Sequence, residues 1–376
     1  MLQPKQNDQL ELDSIEDIVA DIRAGRMVIM MDDEDRENEG DLIMAAEKAT
    51  PETIAFFVRY TSGIICMPML AKRLEELRLP QMVSENTETR HTAYTVSVDC
   101  KIGTTTGISA HDRAATIRAL ADPASSPDIF MRPGHIFPLR YCEGGVLCRT
   151  GHTEASIDLV RLAGLASHSA VISEVVNDDG TMKRAPDLVA FAREHGIKIG
   201  TIADLIHYRM QKEKSVSRLF EREVETEFGT LRLIAYRDHV SDTIHFALVA
   251  GEVKADAPTL VRVHLRNTLS DVLAVRSEAL GWPFRDALAR IAKEGGVAIV
   301  LDHAEDPAAL VQTLESLPAK PVEDDEREDG AQVLQTYGVG AQILIDLGVR
   351  KMRVLSAPKK MHGISGFGLE VVEYVS

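Results

Sequence analysis

A ten-residue acidic segment, DDEDRENEGD at positions 32–41, carries seven carboxylates and directly follows the apolar run 27–31. Carboxylates this close repel one another, so some must take up a proton, face water or bind a cation. Arg36 and Asn38 are interleaved with the acids, which suits a polar substrate, and the segment leaves a predicted buried strand, where α/β sheets place their sites. Hard oxygen ligands favour Mg²⁺ or Mn²⁺. A solvated loop is the alternative.

A second polar segment, RTGHTE at positions 149–154, combines a guanidinium, an imidazole, two hydroxyls and a carboxylate just before an apolar-faced helix. Backbone amides at a helix start, with Arg149 beside them, form a site for an anion. We expect His152 to complete a metal site with a carboxylate of the acidic segment. A purely structural histidine is the alternative.

Three further segments contain residues suited to chemistry. The hydroxyls, glycine and Arg113 of TTTGISAHDR (104–113) suit either a phosphate cradle or a capped turn. His135 is predicted to lie in a Pro-Gly turn within RPGHIFPL (132–139). Glu174 falls inside an apolar strand, where a carboxylate must be paired or kept with a raised pKa for proton transfer.

Helices and strands that position these residues are predicted from apolar periodicity and capping signals. The first helix begins after Asp13 or Ser14 and stops at Gly25, and a strand covers 27–31. Further helices are predicted at PETIAFFVRY, AKRLEEL, EASIDLVRLAGL, PDLVAFAREHG and IADLIHYRM, and strands at SGIICMPM, TAYTVSVD, AVISEVV, EFGTLRLIAY, TIHFALVAG and TLVRVHLR.

Composition limits the class of protein. The 376 residues carry a net charge of −16, which argues against nucleic acid as a partner. No apolar run approaches the roughly 20 residues of a membrane span, and no secretory signal is visible, so we expect a cytoplasmic protein. The cysteines are Cys66, Cys100, Cys142 and Cys148; they form no CxxC pair, so a zinc site of thiolates alone is not expected. In a cytosolic enzyme we expect reduced thiols rather than disulfides.

A change of pattern near residues 211–218, where a helix runs into a basic and polar stretch, predicts two domains. We place them at 1–213 and 219–376. The second begins with strands and then alternates helices with strands, and its charged segment 321–330 is predicted to be a solvated loop.

The first domain closely resembles the 3,4-dihydroxy-2-butanone 4-phosphate synthase family. The matching segments, in the family's order, are VIMMDDEDRENEGDLIMAAE, TAYTVSVD, TTGISAHDRAATI, RPGHIFPL, RTGHTEASIDLVRLAGL and ISEVVNDDG. The resemblance implies an α+β domain with a mixed sheet flanked by helices, and a homodimer with its site near the subunit interface. It also implies conversion of D-ribulose 5-phosphate to the four-carbon phosphate and formate with Mg²⁺ (or Mn²⁺).

Site residues follow from the same resemblance, position by position. Glu37 and His152 are implied as metal ligands. Implied as catalytic are His135, Glu174 and Asp41. Implied as substrate contacts are Arg36, Glu37, Asp41, Cys66, Arg149, Thr150, Gly151, His152, Thr153 and Glu174.

The second domain resembles GTP cyclohydrolase II in EFGTLRLIAY, LVRVH, TYGVGAQILIDLGVRKMRVL and GFGLEVVE, which implies an α/β fold. The family's three zinc cysteines are replaced by Asn267, Ser277 and Ala279. Its glycine-and-arginine loop is replaced by HAEDPAALVQ, and the Asp and Arg before its YGIGAQ motif by Val333 and Gln335. We therefore predict a degenerate domain without zinc or cyclohydrolase activity.

Several alternatives stay open for this domain and for the whole chain. The second domain could contribute stability or dimer contacts, or could keep a regulatory pocket for a nucleotide or flavin, with Ser356 and Lys359-Lys360 near a phosphate. Other interpretations are a bifunctional enzyme with residual cyclohydrolase activity, a related phosphosugar aldolase or lyase, and a non-catalytic regulator of the flavin pathway.

Overall fold

The computed structural model describes residues 12–33, 36–277, 282–303, 305, 310–311, 314, 330–356 and 367–375, with 330–337 described only as backbone. The chain divides into two compact units, Met1–Ile206 and His207–Ser376. The domain limits expected from the sequence lie slightly farther along the chain. A helix with the length and apolar character needed to cross a bilayer is absent from the described part of the chain.

The first unit is built on a seven-stranded mixed sheet. Its strands are β1 (Val28–Met31), β2 (Gly40–Ala45), β3 (Cys66–Met69), β4 (Val98–Cys100), β5 (Phe130–Arg140), β6 (Ala170–Glu174) and β7 (Lys198–Thr201). They lie in the order β4-β5-β3-β6-β2-β1-β7. Only the β3–β5 and β1–β7 pairs are parallel among these neighbours. The predicted mixed sheet is confirmed.

Helices surround this sheet, and the last of them ends in the second unit. They are α1 (Ile15–Arg23), α2 (Pro51–Tyr60), α3 (Ala71–Glu76), α4 (Ala110–Ala121), α5 (His152–Leu162), α6 (Ala185–His195) and α7 (Ile202–Lys212). α1 and α5 pack on each other and both contact β1 and β2. Because β1 and β2 are buried along their whole length, the acidic segment that joins them is anchored at both ends in the core.

Capping residues define several helix starts. Ser14 accepts a hydrogen bond from the amide of Asp17, which confirms one of the two predicted caps. Thr50 and Thr53 form a reciprocal capping box before α2, whose first residue is Pro51. These local signals explain why both helices are recognised from the sequence.

Two local predictions differ from the structure. The predicted strand TAYTVSVD is regular only from Val98, with isolated bridges at Tyr94 and Thr95. The Pro-Gly turn predicted around His135 is wrong, because this residue lies within β5. β5 pairs with β4 through Met131 and Ile136, whose partners are consecutive residues, so 132–135 are left out of that ladder. The irregularity resembles a turn in sequence, but the pairing of the strand continues past it.

The second unit also contains a seven-stranded mixed sheet, so the predicted α/β fold is confirmed. Its strands are β8 (Val216–Thr226), β9 (Gly229–Asp238), β10 (Ile244–Ala250), β11 (Pro258–Leu265), β12 (Gly296–Leu301), β13 (Lys351–Leu355) and β14 (Glu370–Val375). The order is β14-β13-β11-β12-β10-β9-β8. β11 to β14 pair in parallel, and β8, β9, β10 and β12 pair antiparallel.

Two helices, α8 (Phe284–Glu294) and α9 (Gly330–Asp346), and a π-helical turn at Thr268–Val272 complete the described part of this unit. Some sequence-based predictions fall elsewhere. Ala279, the pair Lys359-Lys360 and nearly all of the charged segment 321–330 lie outside the described residues.

Candidate active site of the first unit

The first unit brings Glu37 and His152 together, although 114 residues separate them in the sequence. Glu37 lies in the segment between β1 and β2, and His152 is the first residue of α5. The Oε2 atom of Glu37 is 3.8 Å from Nδ1 of His152. Asp32 joins them, and the three ligand atoms lie within 4.8 Å of one another. We call Asp32, Glu37 and His152 the donor cluster; Asp32 is absent from the predicted ligands.

Arg36 partly neutralises the acidic segment from within. Its Nη1 atom donates to Oδ2 of Asp32 at 2.8 Å and to Oε2 of Glu37 at 2.7 Å. Burial opposes its charge, but the carboxylates of Glu37 and Asp32 outweigh burial and raise the pKa of Arg36. Asp32 also accepts from the amides of Glu37 and Glu39, which folds the segment back on itself. Two further acids of the segment, at positions 34 and 35, lie outside the described residues.

Asp41 is buried beside the donor cluster with little compensation. Its Oδ1 atom is 3.8 Å from Nδ1 of His152 and has no hydrogen-bond partner among the described residues. Burial, followed by the charges of Glu174 and Glu37, raises the pKa of Asp41 well above its usual value. Asp41 therefore takes up a proton more readily than an ordinary aspartate.

The imidazole of His152 is kept neutral. Burial lowers its pKa despite the carboxylates of Asp32 and Glu37. Its Nε2 atom is buried and has no hydrogen-bond partner in the described part of the chain. A neutral imidazole is the form that binds metal ions, and buried polar atoms without partners are characteristic of sites completed by an ion or a ligand. Carboxylates with one imidazole fit a hard divalent cation.

Two guanidinium groups converge above Gly151, the residue that precedes α5. A Cβ atom there would lie 2.4 Å from Nη1 of Arg149 and 3.1 Å from Nη2 of Arg36. Arg149 is oriented by Glu154, whose Oε2 atom accepts from Nη1 at 2.7 Å. Thr150 is half-buried and Thr153 is buried. The convergence of positive groups at a helix start creates a place for an anion.

Glu174 and Cys66 lie on neighbouring central strands, β6 and β3. The carboxylate of Glu174 accepts a hydrogen bond from Oγ of Ser62 at 2.6 Å, a partner that the sequence analysis missed. Burial and the charge of Glu174 raise the pKa of the Cys66 thiol, so the thiol stays protonated. A hydrogen bond with Tyr94 opposes this effect, because it lowers the pKa of the same thiol.

His135 is held by Asp99, which the sequence analysis also missed. Nδ1 of His135 is 2.7 Å from Oδ2 of Asp99, and its amide donates to Oδ1 at 2.9 Å. Gly107, with φ +89°, lies against this pair; a Cβ atom there would be 2.1 Å from Oδ2 of Asp99. Asp99, on the edge strand β4, thus orients His135. His135 itself lies on β5, two strands away from β6, which carries Glu174.

The segment TTTGISAHDR forms the capped turn rather than an open cradle. The carboxylate of Asp112 accepts from the amide and hydroxyl of Thr105 and from the amide of Gly107. The hydrogen bonds from Thr105 lower the pKa of Asp112. Arg113 donates to the carbonyl groups of Ile108 and Gly63. Because these groups bind one another, the capped turn accounts for the segment.

Family comparisons cover both units. The model described as 3,4-dihydroxy-2-butanone 4-phosphate synthase matches residues 16–208, and the model described as GTP cyclohydrolase II matches 217–376.

Two curated relatives align along nearly the whole chain. A Pseudomonas aeruginosa protein named 3,4-dihydroxy-2-butanone 4-phosphate synthase is 50% identical over 97% of this chain and 99% of its own. An Aquifex aeolicus protein named riboflavin biosynthesis protein RibBA is 45% identical over 98% of this chain and 93% of its own.

Solved structures show the same relationship. RibBX from A. baumannii, described as a two-domain 3,4-dihydroxy-2-butanone 4-phosphate synthase, has a TM-score of 0.80 at 44% identity and covers 97% of this chain and 99% of its own. A synthase in complex with two magnesium ions has a TM-score of 0.51 at 48% identity and covers 54% of this chain and 99% of its own.

Proposed function

The chain belongs to the 3,4-dihydroxy-2-butanone 4-phosphate synthase family of riboflavin biosynthesis, and we propose that its first unit converts D-ribulose 5-phosphate to 3,4-dihydroxy-2-butanone 4-phosphate and formate. The observation that carries the proposal is the donor cluster of Asp32, Glu37 and His152. It lies beside the guanidinium groups that converge over Gly151. A cation site next to an anion site suits a phosphorylated sugar.

Arg149 and the amides at the start of α5 bind the phosphate in this proposal. Arg149 keeps its orientation through Glu154 and also lies 3.3 Å from the hydroxyl of Thr92. Thr150, Gly151 and Thr153 complete this side of the site. Fixing the phosphate places the flexible open-chain sugar in one orientation toward the donor cluster.

Glu37 and His152 would hold Mg²⁺ or Mn²⁺, with Asp32 as a further donor. A divalent cation would polarise the carbonyl group and stabilise negative charge on the sugar oxygens. The magnesium ions named for a 48% identical structure support this choice of metal.

Proton transfers fall to Asp41, Glu174 and His135 in the proposal. Enolisation, loss of a hydroxyl group, the skeletal shift and release of formate need several acids and bases of different strength. Asp41 has a raised pKa and can donate a proton. Glu174, held by Ser62, can accept one. His135 keeps its Nε2 atom available because Nδ1 faces Asp99.

The direct test measures Mn²⁺ binding by electron paramagnetic resonance, together with formate release from D-ribulose 5-phosphate. Glu37→Gln and His152→Ala should weaken metal binding at least about 100-fold and abolish turnover. Glu52→Gln, an identical chemical change at an exposed position on α2, should leave the metal affinity unchanged. Normal metal affinity and formate release in Glu37→Gln would refute the ligand assignment.

Product identity separates this function from a related phosphosugar aldolase or lyase. Carbon-13 NMR of the products should show a four-carbon ketone phosphate and formate in equal amounts. Two- and three-carbon fragments would identify an aldol cleavage instead. Binding of the sugar phosphate with no product at all would favour a non-catalytic regulator.

The second unit, we further propose, has no GTP cyclohydrolase activity. No cysteine follows Cys148 in the sequence. Asn267, at the place of the family's first zinc cysteine, instead caps the π-helical turn by accepting from the amide of Ser270. Asp271 accepts from the amide of Asn267 and lies 2.7 Å from Nε2 of His264. Hydrogen bonds between neutral and acidic groups therefore occupy this region, and they offer no thiolate to zinc.

Zinc analysis and a formate assay with GTP test this part. We expect no stoichiometric zinc and no turnover. Zinc with turnover would support the bifunctional alternative, which the relative named RibBA keeps open. Comparing the full chain with residues 1–213, with and without added GTP or FMN, separates a stabilising role from a regulatory one. Equal stability and kinetics would support neither.

A homodimer and a cytoplasmic location are also part of the proposal. Ile64 and Ile108 are 49% and 50% exposed, and Arg113 ties their two segments together through Gly63 and Ile108. Exposed apolar side chains on two segments that one arginine joins suit an interface between copies of the chain. Light scattering after size-exclusion chromatography should give twice the mass of one chain.

A further inference from the structure

Cys142 and Cys148 bring their thiols into contact just before the site. Their Sγ atoms are 3.2 Å apart, whereas Cys66 and Cys100 are buried elsewhere. Cys148 is exposed and Cys142 is partly buried. A disulfide needs a separation of about 2.05 Å, so the two sulfur atoms need to approach by only about 1 Å.

The chain between the two cysteines can accommodate this movement. Gly144 and Gly145 have φ values of +99° and +66°, and a short 3-10 turn covers Gly145–Leu147. Glycine adopts such backbone conformations without strain and changes between them easily. Since 145–147 are buried, we expect the ring closure to be taken up mainly by rotation about the backbone of the two glycines.

The same loop supports Arg149. The amide of Cys142 donates to Oε1 of Glu154 at 3.2 Å, and the other oxygen of Glu154 accepts from Arg149 at 2.7 Å. The amide of Arg149 donates to the carbonyl of Gly145 at 3.0 Å. A displacement of Cys142 thus reaches the Arg149 guanidinium, which the proposed function assigns to phosphate, through Glu154.

We propose that Cys142 and Cys148 form a redox-sensitive dithiol site, which low-molecular-weight disulfides oxidise, and that the resulting internal disulfide weakens binding of the phosphosugar. The second half of this inference rests on the proposed function. The first half, the reactivity of the pair, does not.

The exchange proceeds in two balanced steps. The exposed Cys148 gives its proton to water, and its thiolate attacks one sulfur of a small disulfide RSSR; the S–S bond breaks, RS⁻ leaves and a mixed disulfide forms on Cys148. Cys142 then loses its proton to RS⁻ and attacks the Cys148 sulfur, which releases the second RS⁻, and this RS⁻ takes up a proton from water. The two cysteines lose two electrons and two protons, and RSSR becomes two RSH.

The order of attack follows from exposure. Burial, together with the neighbouring Cys148 thiol, raises the pKa of Cys142 to about 12. Cys142 is therefore poorly suited to attack an external disulfide, but it lies in contact with any mixed disulfide on Cys148. We assign Cys148 as the attacking thiol and Cys142 as the resolving thiol.

The test treats the reduced full-length chain with excess oxidised glutathione, quenches with N-ethylmaleimide and analyses peptides by mass spectrometry. We expect a peptide with a 142–148 disulfide. Cys148→Ser should form no glutathione adduct in this loop, and Cys142→Ser should retain a glutathione on Cys148. Cys100→Ser, a change at a buried cysteine outside the site, should behave like the parent chain.

The effect of oxidation on function is measured separately, as the KM for D-ribulose 5-phosphate before and after oxidation. We expect KM to rise about 10-fold through displacement of Arg149, and dithiothreitol to reverse it. Absence of the 142–148 disulfide overturns the proposal, as does a disulfide that leaves KM unchanged. If the reduced chain releases no formate, the proposed function fails, and calorimetric binding of the sugar phosphate to both forms decides the second half.

Discussion

Asp41 and Glu174 lie directly opposite each other on the adjacent antiparallel strands β2 and β6. Residues in such a pair share one face, with Cβ atoms about 4.5–5.5 Å apart, and like charges there are destabilising. After burial, the charge of Glu174 contributes most to raising the pKa of Asp41. The sheet thus holds two acids in an unfavourable arrangement, which is typical of sites where chemistry requires both.

Replacing Asp41 should therefore raise the stability of the chain and lower its activity. Asp41→Asn removes a carboxyl group that burial and Glu174 keep from ionising in the folded chain, and should raise the free energy of unfolding at neutral pH by about 1 kcal/mol. Formate release should fall at least about 100-fold, because a proton donor is lost. Urea unfolding and the formate assay measure the two effects.

Asp112→Asn is the matched control for this change. Asp112 is another acid close to the site, but its carboxylate accepts three hydrogen bonds from Thr105 and Gly107. Substitution should lower stability, because all three bonds reach Oδ2 of Asp112, and the neutral amide oxygen of asparagine accepts them more weakly than a carboxylate does. If both variants were destabilised alike, the unfavourable arrangement of Asp41 would be ruled out.

Asp99 is predicted to orient His135. Nδ1 of His135 faces Oδ2 of Asp99 at 2.7 Å, and we expect this contact to keep the ring proton on Nδ1 and leave Nε2 free. Asp99→Asn places an amide donor there and favours the opposite tautomer, so kcat should fall about 10²- to 10⁴-fold with little change in KM. Nitrogen-15 NMR of the His135 ring reads the tautomer directly.

Ser97→Ala serves as the control, since the Ser97 hydroxyl accepts from the amide of Gly134, the residue before His135. It should leave the His135 tautomer as it is. An unchanged tautomer in Asp99→Asn, with normal kcat, would show that Asp99 has no positioning role.

Gly151 is predicted to matter for substrate affinity rather than folding. Its φ of −97° suits any residue, but an alanine Cβ would contact Arg149 at 2.4 Å. Gly151→Ala should displace Arg149 from Glu154 and raise KM about 10-fold, with the melting temperature nearly unchanged. Steady-state kinetics and a thermal melt provide both values.

Gly164→Ala should lower the melting temperature and leave the KM unchanged. Gly164 has φ +72° and open space around it, so alanine adds only backbone strain, about 1 kcal/mol. Its KM should match the parent chain. A KM change in Gly164→Ala equal to that in Gly151→Ala would remove the role assigned to Arg149.

His245 should make the second unit less stable in acid. Burial lowers its pKa below 6.5, although Asp238 and Asp302 oppose this, and its Nδ1 atom accepts from the amide of Asp302. Above pH 6.5 the His245 ring is neutral in both the folded and the unfolded chain. Below it the unfolded chain binds the proton first, so the free energy of unfolding falls as pH falls toward the folded pKa.

Fluorescence of Trp282, the chain's single tryptophan, reports this unit during urea unfolding. Stability should be lower at pH 5.5 than at pH 7.5. His245→Asn, whose side-chain oxygen can replace Nδ1 as acceptor, should reduce the difference. His264, whose pKa is also lowered by burial, should contribute to the slope that remains. An identical slope in His245→Asn would contradict the assignment.

Local signals predicted much of the fold because they depend on neighbouring residues. Ser14 and Pro51 marked helix starts correctly, since a cap acts within one turn. The turn predicted around His135 was wrong because that signal, too, depends only on neighbouring residues. Its Pro-Gly neighbours resemble a turn, but pairing with strands distant in sequence keeps the segment in β5.

The sequence by itself determined which residues could do chemistry: the acidic segment, the RTGHTE segment and the absence of cysteine beyond Cys148. Only the tertiary structure decided which of these residues come into contact with one another. Asp32 joins Glu37 and His152, Asp99 orients His135, and Ser62 holds Glu174. These contacts join positions far apart in the chain, and strand pairing and burial, which set them, are properties of the whole sheet rather than of any short segment.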